Sequence, residues 1–365
     1  MAPPPAAPAT SATSADLLDP RDASQHRILR EWLALQEAFP LRPREARLAL
    51  ERAGGDPARA AGRTPWAALD ERIAALARCT ALVLPFGSAL YPPALAPLPD
   101  APPLLFVQGT PTALAAPALA IVGARAATPY GLGVARELAR AAGAAGLVVV
   151  SGLARGIDAA AHEGALAAGG ATVAVQGCGP DLVYPPAHRR LAARIREQGA
   201  LLSELPPGAP PLRHHFPLRN RLISGLARVT LVVEARERSG SLVTALHALD
   251  QGRDVAAVPG PVTAPTSAGT NRLLRDGAFV ILEPADALRL LGVELPAATA
   301  PRSAAPADPL SRRLLEALGS GAATRDELED RLGEPRASWE LALLELELEG
   351  WIGVGRDGRL HALRV

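Results

Sequence analysis

The sequence predicts an α/β protein built on a doubly wound, mostly parallel sheet, and three observations lead to that prediction. Short apolar runs alternate with helix-like segments through the middle of the 365-residue chain. The runs are continuously apolar, which indicates strands that are buried on both faces of a sheet. Glycine or serine follows the early runs, as expected where a strand turns into a helix. The predicted strands lie at 119–122, 147–150, 172–175, 200–202, 230–233, 255–258 and 279–282.

Composition and periodicity divide the chain into five segments. Residues 1–22 are rich in Pro and Ala and are predicted to be a disordered tail, because such residues bury too little surface to offset the ordering entropy. Residues 23–80 have apolar positions at three- and four-residue spacing, which predicts an N-terminal helical module. The α/β core spans 85–294, and a Pro/Ala-rich linker spans 295–308. Residues 309–365 are predicted to form three helices and a hairpin, the pattern of a winged-helix domain.

The charge balance excludes binding of polyanions by overall charge. The chain has 38 basic and 37 acidic residues, and all 38 basic residues are Arg. Any nucleic-acid site must therefore be a local patch. Arginine keeps its charge at any working pH and favours bidentate contacts to phosphate. Residues 111–300 hold 18 Arg against 14 acidic residues, so this segment carries the positive excess.

The C-terminal segment has the opposite balance. Residues 308–365 hold 8 Arg and 12 acidic residues, and the third predicted helix carries four Glu residues between 340 and 349. This helix is the usual groove-reading element of a winged helix, and each Glu facing a phosphate would cost about 1 kcal/mol even in water. We therefore expect this domain to contact protein or cover the core, with its hairpin turning at 356–358.

Other features exclude further classes of protein. Two cysteines, Cys79 and Cys178, are too few for a disulfide framework or a zinc site, and we predict no metal or cofactor. The segment 1–14 lacks the basic and apolar regions of a signal peptide. No apolar run reaches the roughly 18 uncharged residues of a membrane span. We expect a soluble, cytoplasmic protein without a membrane partner.

Two strand ends carry residues suited to binding an anion. Gly123 and Arg125 follow the first core strand, where glycine lets a phosphate approach the backbone and arginine supplies a bidentate cation. Ser151, Gly152 and Arg155 follow the next strand, where a hydroxyl, backbone N–H groups and a guanidinium would cradle an anion. The structural alternative is that each glycine serves only a tight strand-to-helix turn.

The longest stretch of the core without an acidic residue lies between Glu204 and Glu234. Its Arg and His residues flank an aromatic ring, which suits single-stranded nucleic acid because cations hold the backbone while the ring stacks on a base. The alternative is a loop whose Arg residues pair with helix C-termini and whose ring lies in the core. The candidate contacts are His215, Phe216, Arg219, Asn220 and Arg221, with Ser239, Gly240 and Ser241 opening the next helix.

Enzymatic readings have less support. Asp158 and His162 are spaced i, i+4 on a predicted helix and are the obvious acid/base candidates. A nucleotide-processing hydrolase on a related scaffold is the alternative function, yet no glutamate follows the strand 230–233 at the start of its helix. A dinucleotide-dependent oxidoreductase lacks the GxGxxG fingerprint. We expect no enzymatic activity.

Taken together, these motifs resemble the DNA-processing protein A (DprA/Smf) family. They occur in the family's order and cover roughly residues 85–284. The matching pieces are VGxR at 122–125, SGxAxGID at 151–158, FPxRNRxISGL at 216–226, EA at 234–235, SGSLVTA at 239–245, VPGP at 258–261, GTN at 269–271 and GA at 277–278.

The resemblance implies a Rossmann-like domain that forms a homodimer and binds single-stranded DNA. It implies that the protein protects incoming DNA during natural transformation and helps to load the RecA recombinase. Relatives often place Lys in this pocket, where the present chain has only Arg or His. The strand-binding positions implied by the resemblance are Gly123, Arg125, Ser151, Gly152, Arg155, Phe216, Arg219 and Arg221.

Overall fold

A computed structural model shows two compact units, residues 1–126 with 135–293 and residues 127–134 with 294–365. The residues that the structure describes are 17–62, 66–293, 308–319, 321–348, 350–355 and 358–363.

Eleven strands are present in the described residues. They are β1 Leu82–Pro85, β2 Leu104–Gly109, β3 Ala118–Val122, β4 Val148–Ser151, β5 Thr172–Val175, β6 Ala200–Ser203, β7 Val229–Val232, β8 Asp254–Ala257, β9 Phe279–Val280, β10 Ile352–Val354 and β11 Leu360–Ala362.

Fourteen α-helices lie in the same described ranges. They are α1 His26–Ala38, α2 Pro43–Arg52, α3 Pro57–Ala61, α4 Trp66–Arg78, α5 Pro129–Ala144, α6 Ile157–Ala167, α7 Arg189–Gln198, α8 His215–Leu226, α9 Gly240–Asp250, α10 Ala268–Arg275, α11 Pro284–Leu290, α12 Pro309–Gly319, α13 Arg325–Leu332 and α14 Glu340–Leu348.

The nine strands of the first unit form one sheet in the order β1-β2-β6-β5-β4-β3-β7-β8-β9. The strands from β6 to β9 along this order pair in parallel, whereas β1 and β2 pair antiparallel at one edge. Because β3, β4 and β7 run parallel, the loops that follow them leave the sheet at the same carboxyl edge. The strand order reverses between β3 and β7, and doubly wound folds bind ligands at such a reversal. The predicted fold class is confirmed.

The N-terminal helices share a core with the sheet. Leu29, Leu33 and Leu76 pack in one buried cluster with Val83 of β1 and Phe106 of β2. These helices therefore cover the antiparallel end of the sheet and belong to the first unit.

The predicted disordered tail extends too far. Leu18 is 0% exposed, and its backbone N–H and C=O both bond to Val83 at 2.9 Å. A leucine that adds a bridge to an edge strand and fills the helical core gains more from burial than it loses in chain entropy. The predicted tail is thus wrong at residue 18, while 1–16 lie outside the described residues.

The C-terminal helices and hairpin have a core of their own. Leu314, Leu328, Trp339, Leu343 and Ile352 lie in one buried cluster. Thr324 caps α13 through a capping box in which its hydroxyl accepts from the N–H of Glu327 and the Glu327 carboxylate accepts from the N–H of Thr324. Strands β10 and β11 pair antiparallel. Most of the predicted turn at 356–358 lies outside the described residues.

Candidate nucleic-acid interface

The carboxyl edge of the sheet brings together segments that are distant in sequence. Strands β3, β4 and β5 are neighbours and run parallel, so the chain leaves all three at the same edge. The loop from β4 to α6 packs tightly on the loop after β3, because a Cβ on Gly156 would lie 2.2 Å from the carbonyl oxygen of Ala124. Gly156 also has φ 79°, a conformation that favours glycine. Sequence and sheet together thus place the two predicted anion loops side by side.

Arg219 is a buried cation that joins α8 to this edge. Its Nη1 donates to the carbonyl oxygen of Gly152 at 2.7 Å and to that of Val175. Burial lowers the pKa of the guanidinium to about 10, although Asp158 acts in the opposite direction. Arg219 therefore stays charged at neutral pH. A Cβ at position 152 would lie 2.4 Å from Nη1 of Arg219, so a residue larger than glycine there would displace this guanidinium.

Phe216 presents a half-buried ring beside this cation. Its centroid lies 5.6 Å from that of Tyr184, which is 45% exposed. Cζ of Arg125 lies 5.5 Å from the Phe216 centroid and Cζ of Arg219 lies 5.9 Å from it. Gly177 packs against the ring, where a Cβ would come within 2.9 Å of Cδ1. We call Phe216, Tyr184, Arg125 and Arg219 the Phe216 cluster.

Three arginines in the cluster or in the segments that form it are exposed. Arg125, Arg155 and Arg213 are exposed, and none of the three forms a hydrogen bond or ion pair with the described part of the chain. Their guanidinium groups are thus available to an anion, in contrast to the many surface arginines that pair with carboxylates elsewhere in the protein. The cluster combines an aromatic ring with cations, a combination suited to single-stranded nucleic acid.

Two predicted contact residues, Arg221 and His215, are buried and engaged with other parts of the protein. Arg221 is buried and pairs with Glu204, and its Nε lies 3.4 Å from Oδ2 of Asp100. His215 is buried with Nδ1 at 3.0 Å from the carbonyl oxygen of Pro210, and burial lowers its pKa. Folding thus brings acidic partners to Arg221, and burial disfavours the charged form of His215, so the geometry gives neither side chain an open path to a ligand. Their assignment as DNA contacts stays a prediction.

Ser151 and Gly123 also serve packing. Ser151 is 0% exposed and its hydroxyl donates to the carbonyl oxygen of Ile121 at 2.7 Å, which links β4 to β3. A Cβ on Gly123 would lie 2.6 Å from Cγ1 of Ile157, so glycine is needed there for close packing of the loop on α6. These two residues shape the edge and offer no exposed side chain to a ligand.

The remaining predicted residues form a separate connection between α8 and α9. Asn220 donates from Nδ2 to the carbonyl oxygen of Gly240 at 3.2 Å. Ser239 caps α9 by accepting from the N–H of Ser241, and their hydroxyls lie 2.7 Å apart. The start of α9 follows β7 and therefore lies at the carboxyl edge of the sheet. The two serine hydroxyls there are hydrogen-bonded to each other.

Asp158 and His162 do not form an acid/base pair. Asp158 is buried and its Oδ2 accepts from the N–H of Ala154 at 3.4 Å, while burial raises its pKa. His162 is 0% exposed and its Nδ1 lies 2.7 Å from Oγ1 of Thr172. Since that hydroxyl donates to the carbonyl of Val149, the imidazole is the donor in this bond. Both side chains are thus engaged by separate partners inside the fold.

Burial of His162 predicts a loss of stability in acid. Burial lowers its pKa to about 3 from an ordinary 6.5. Above pH 6.5 both folded and unfolded states hold neutral imidazole; below it only the unfolded state gains the proton. Relative to a His162→Asn variant, the unfolding free energy should fall by up to about 1.4 kcal/mol per pH unit below 6.5. Urea titrations between pH 7 and pH 5 measure this difference; parallel curves for the two proteins would contradict it.

Sequence reasoning missed Tyr184 and Gly177, which hold the Phe216 ring. Both lie in the loop after β5, where Pro, Gly and Cys gave no periodic signal. The only available signal was position: the loop follows a strand that neighbours β4 in the sheet. Among the described residues, no group of three metal-ligating side chains occurs, and no helix is long and apolar enough to cross a membrane.

Two family models match the chain. The model described as DNA recombination-mediator protein A matches residues 82–292, and the DprA winged helix domain matches residues 298–357. These matches cover the whole sheet and the C-terminal helices.

Named relatives and solved structures agree with the family models. Protein Smf of Escherichia coli strain K12 is 43% identical over 291 residues, which is 77% of this chain and 78% of that protein. DNA processing protein DprA of Streptococcus pneumoniae strain R6 is 44% identical over 198 residues, covering 54% of this chain and 70% of the relative.

Two solved structures show the same fold. The X-ray structure of DprA from Streptococcus pneumoniae aligns with TM-score 0.63 and 35% identity over 73% of this chain and 98% of that one. A structure of DprA from Helicobacter pylori, described as giving insight into its single-stranded DNA binding mode, aligns with TM-score 0.52 and 32% identity over 55% and 92% of the two chains. The chain therefore belongs to the DNA-processing protein A family, the DNA recombination-mediator proteins.

Proposed function

We propose that this protein binds single-stranded DNA at the Phe216 cluster. The observation that carries the proposal is the Phe216 ring, flanked by the guanidinium groups of Arg125 and Arg219 and by the Tyr184 ring. Bases of a single strand are free to stack on such rings, whereas those of a duplex are stacked within it. The described DNA-binding mode of the Helicobacter pylori relative supports the same ligand class.

Electrostatics divide the contacts into two kinds. Arg219 is buried and bonded to two carbonyl groups, so it links α8 to the sheet edge and supplies a fixed charge. Arg125 and Arg155 are exposed and without ion pairs to the described residues, so they are the groups that we assign to phosphates. A secondary DNA contact is proposed at the start of α9, which lies at the same edge of the sheet. Its residues are Asn220, Ser239, Gly240 and Ser241.

An anisotropy titration with labelled single-stranded and duplex oligonucleotides of equal length tests this function. We expect tighter binding of single strands, weak dependence on sequence, and a log–log salt slope of about −0.7 for each phosphate contact. Equal or tighter binding of the duplex would contradict the proposal.

We further propose that the protein acts as a mediator for a RecA-type recombinase rather than as an enzyme. The family description of a recombination mediator supports the first part. The separate, buried partners of Asp158 and His162 support the second. Adding the protein to strands covered by single-strand-binding protein should speed RecA ATP hydrolysis, and incubation with nucleoside monophosphates should release no free base.

A homodimer through the Rossmann-like domain is also proposed, with the β9 edge as its contact. Strand β9 ends the sheet, and its exposed side chains are apolar: Phe279 is 47%, Val280 50% and the following Leu282 78% exposed. An apolar edge strand is a ready template for pairing with another chain. A second copy of the chain presents the same edge, so pairing two β9 strands would complete the backbone hydrogen bonds and bury the apolar side chains of both copies.

Val280→Asp is therefore expected to give a monomer where the parent protein is a dimer, as measured by light scattering. The added carboxylate would have to be desolvated in the contact. Leu48→Asp is the matched control, because Leu48 is 43% exposed on α2, in the N-terminal helical region. A dimeric Val280→Asp protein would place the contact elsewhere.

A further inference from the structure

Helix α7 carries a row of arginines that the Phe216 cluster does not use. Arg189, Arg190 and Arg194 are exposed, and none forms a hydrogen bond or ion pair with the described residues. Arg190 and Arg194 are four residues apart, so they lie on one side of the helix about 6 Å apart along its axis. We call these three side chains the α7 arginine row.

The row begins next to the Phe216 cluster. The Tyr184 ring lies beside the Phe216 ring, and a short 3-10 turn from Pro186 to His188 leads directly into α7. Nδ1 of His188 lies 2.9 Å from the carbonyl oxygen of Leu153, in the same loop as Gly152 and Arg155. The start of α7 is thus fixed against the loop after β4.

Packing makes this connection rigid. The buried side of α7, with Leu191, Ala192 and Ile195, lies in one apolar cluster with Leu153. The opposite side of the helix is left to solvent and carries the row. Arg155 is exposed in the loop whose Gly152 bonds to Arg219 of the cluster and whose Leu153 packs on α7, so this loop carries a basic group between the two.

Few carboxylates oppose this charge. Oδ1 of Asp181 accepts from the N–H of Gly208 at 2.8 Å, which engages it in its own loop. Glu197 lies at the far end of α7, about 4.5 Å along the axis beyond Arg194. Other arginines of the protein often pair with carboxylates at i+3 or i+4, as Arg42 does with Glu45. Glu197 is at i+3 from Arg194, yet no ion pair joins the two, so among the described residues the charge of the row is not neutralised by a carboxylate.

We propose that the α7 arginine row is a second contact for the same DNA strand, binding the phosphates of the segment that leaves the Phe216 cluster past Arg155. This proposal rests on the proposed function. Helix α7 would then determine how many nucleotides are bound and in which direction the strand leaves the cluster. The cluster binds a short segment by stacking, and the row binds the continuing backbone by charge alone.

Oligothymidylates of about 6 and about 30 nucleotides test the proposal, since a single stacking site spans about 4–16 nucleotides. The variant is Arg190→Glu/Arg194→Glu in the full chain. The matched control is Arg44→Glu/Arg52→Glu on α2, two exposed arginines without ion pairs to the described residues and with the same change in net charge. Thermal melting checks that each protein is folded.

We expect the α7 variant to bind the long strand about tenfold more weakly than the control does, with a shallower salt slope by roughly 0.7 for each lost phosphate contact. Binding of the short strand should match the control. Equal long-strand affinity for variant and control, or an equal loss on both lengths, would overturn the proposal. Failure of the parent protein to bind either strand would overturn the proposed function itself.

Discussion

Phe216→Ala is expected to weaken the binding of single-stranded DNA by about 1–3 kcal/mol, roughly five- to 150-fold. The ring lies within 5.5 Å and 5.9 Å of the guanidinium carbons of Arg125 and Arg219 and beside Tyr184, so its loss removes a stacking face and the cation–π contacts of both arginines. Anisotropy titration at fixed salt measures the loss.

Phe216→Leu separates stacking from packing. Leucine keeps an apolar side chain against Gly177 but has no π-face, so its affinity should fall nearly as far as that of the alanine variant. Its thermal stability should stay closer to that of the parent, because less cavity is created. Parent-like affinity in the leucine variant would show that the ring does not stack on a base.

Arg221→Met is expected to destabilise the fold by about 3–5 kcal/mol, because removing one partner of a buried ion pair leaves the other charge uncompensated. The side chain of Arg221 is 6% exposed and that of its partner Glu204 is 10% exposed. Burial already raises the pKa of Glu204, and Arg221 limits that rise. Without Arg221 the carboxyl must be buried uncompensated or take up a proton. Urea unfolding at neutral pH measures the loss.

The double variant Arg221→Met/Glu204→Gln is the control for this prediction. It removes both charges, so a large part of the lost stability should return. Affinity for single-stranded DNA, measured where the variants are folded, should stay within about twofold of the parent, since neither side chain faces the Phe216 cluster. A stable Arg221→Met protein that no longer binds DNA would instead restore Arg221 as a DNA contact.

The sheet could be predicted because its information is local. Continuously apolar runs identify parallel strands, and the doubly wound order follows from the short strand–helix repeats. The carboxyl edge, and with it the region of Arg125, Gly152 and Arg155, follows from the fold class. The antiparallel pairing of β1 with β2 and the burial of Leu18 depend on contacts between distant segments, which no local pattern contains.

The candidate site could be predicted only in part. Arg219 and Arg221 are two residues apart on a helix, so they point about 200° apart and cannot both face one ligand. The absence of acidic residues between 204 and 234 says nothing about which way each arginine points. The carboxylates that neutralise Arg221 are those of Glu204 and Asp100. Helical periodicity identifies the conflict; only the fold identifies which arginine faces the sheet edge and which faces the acids.

Photocrosslinking tests the central claim most directly, that a single strand lies on the Phe216 cluster. An oligothymidylate carrying 5-iodouracil is bound to the full-length protein, irradiated and digested, and the crosslinked peptides are identified by mass spectrometry. We predict crosslinks at Phe216 or Tyr184, the two neighbouring rings of the cluster, both of which reach the surface. Crosslinks confined to the C-terminal helices α12 to α14, with none at either ring, would contradict the account.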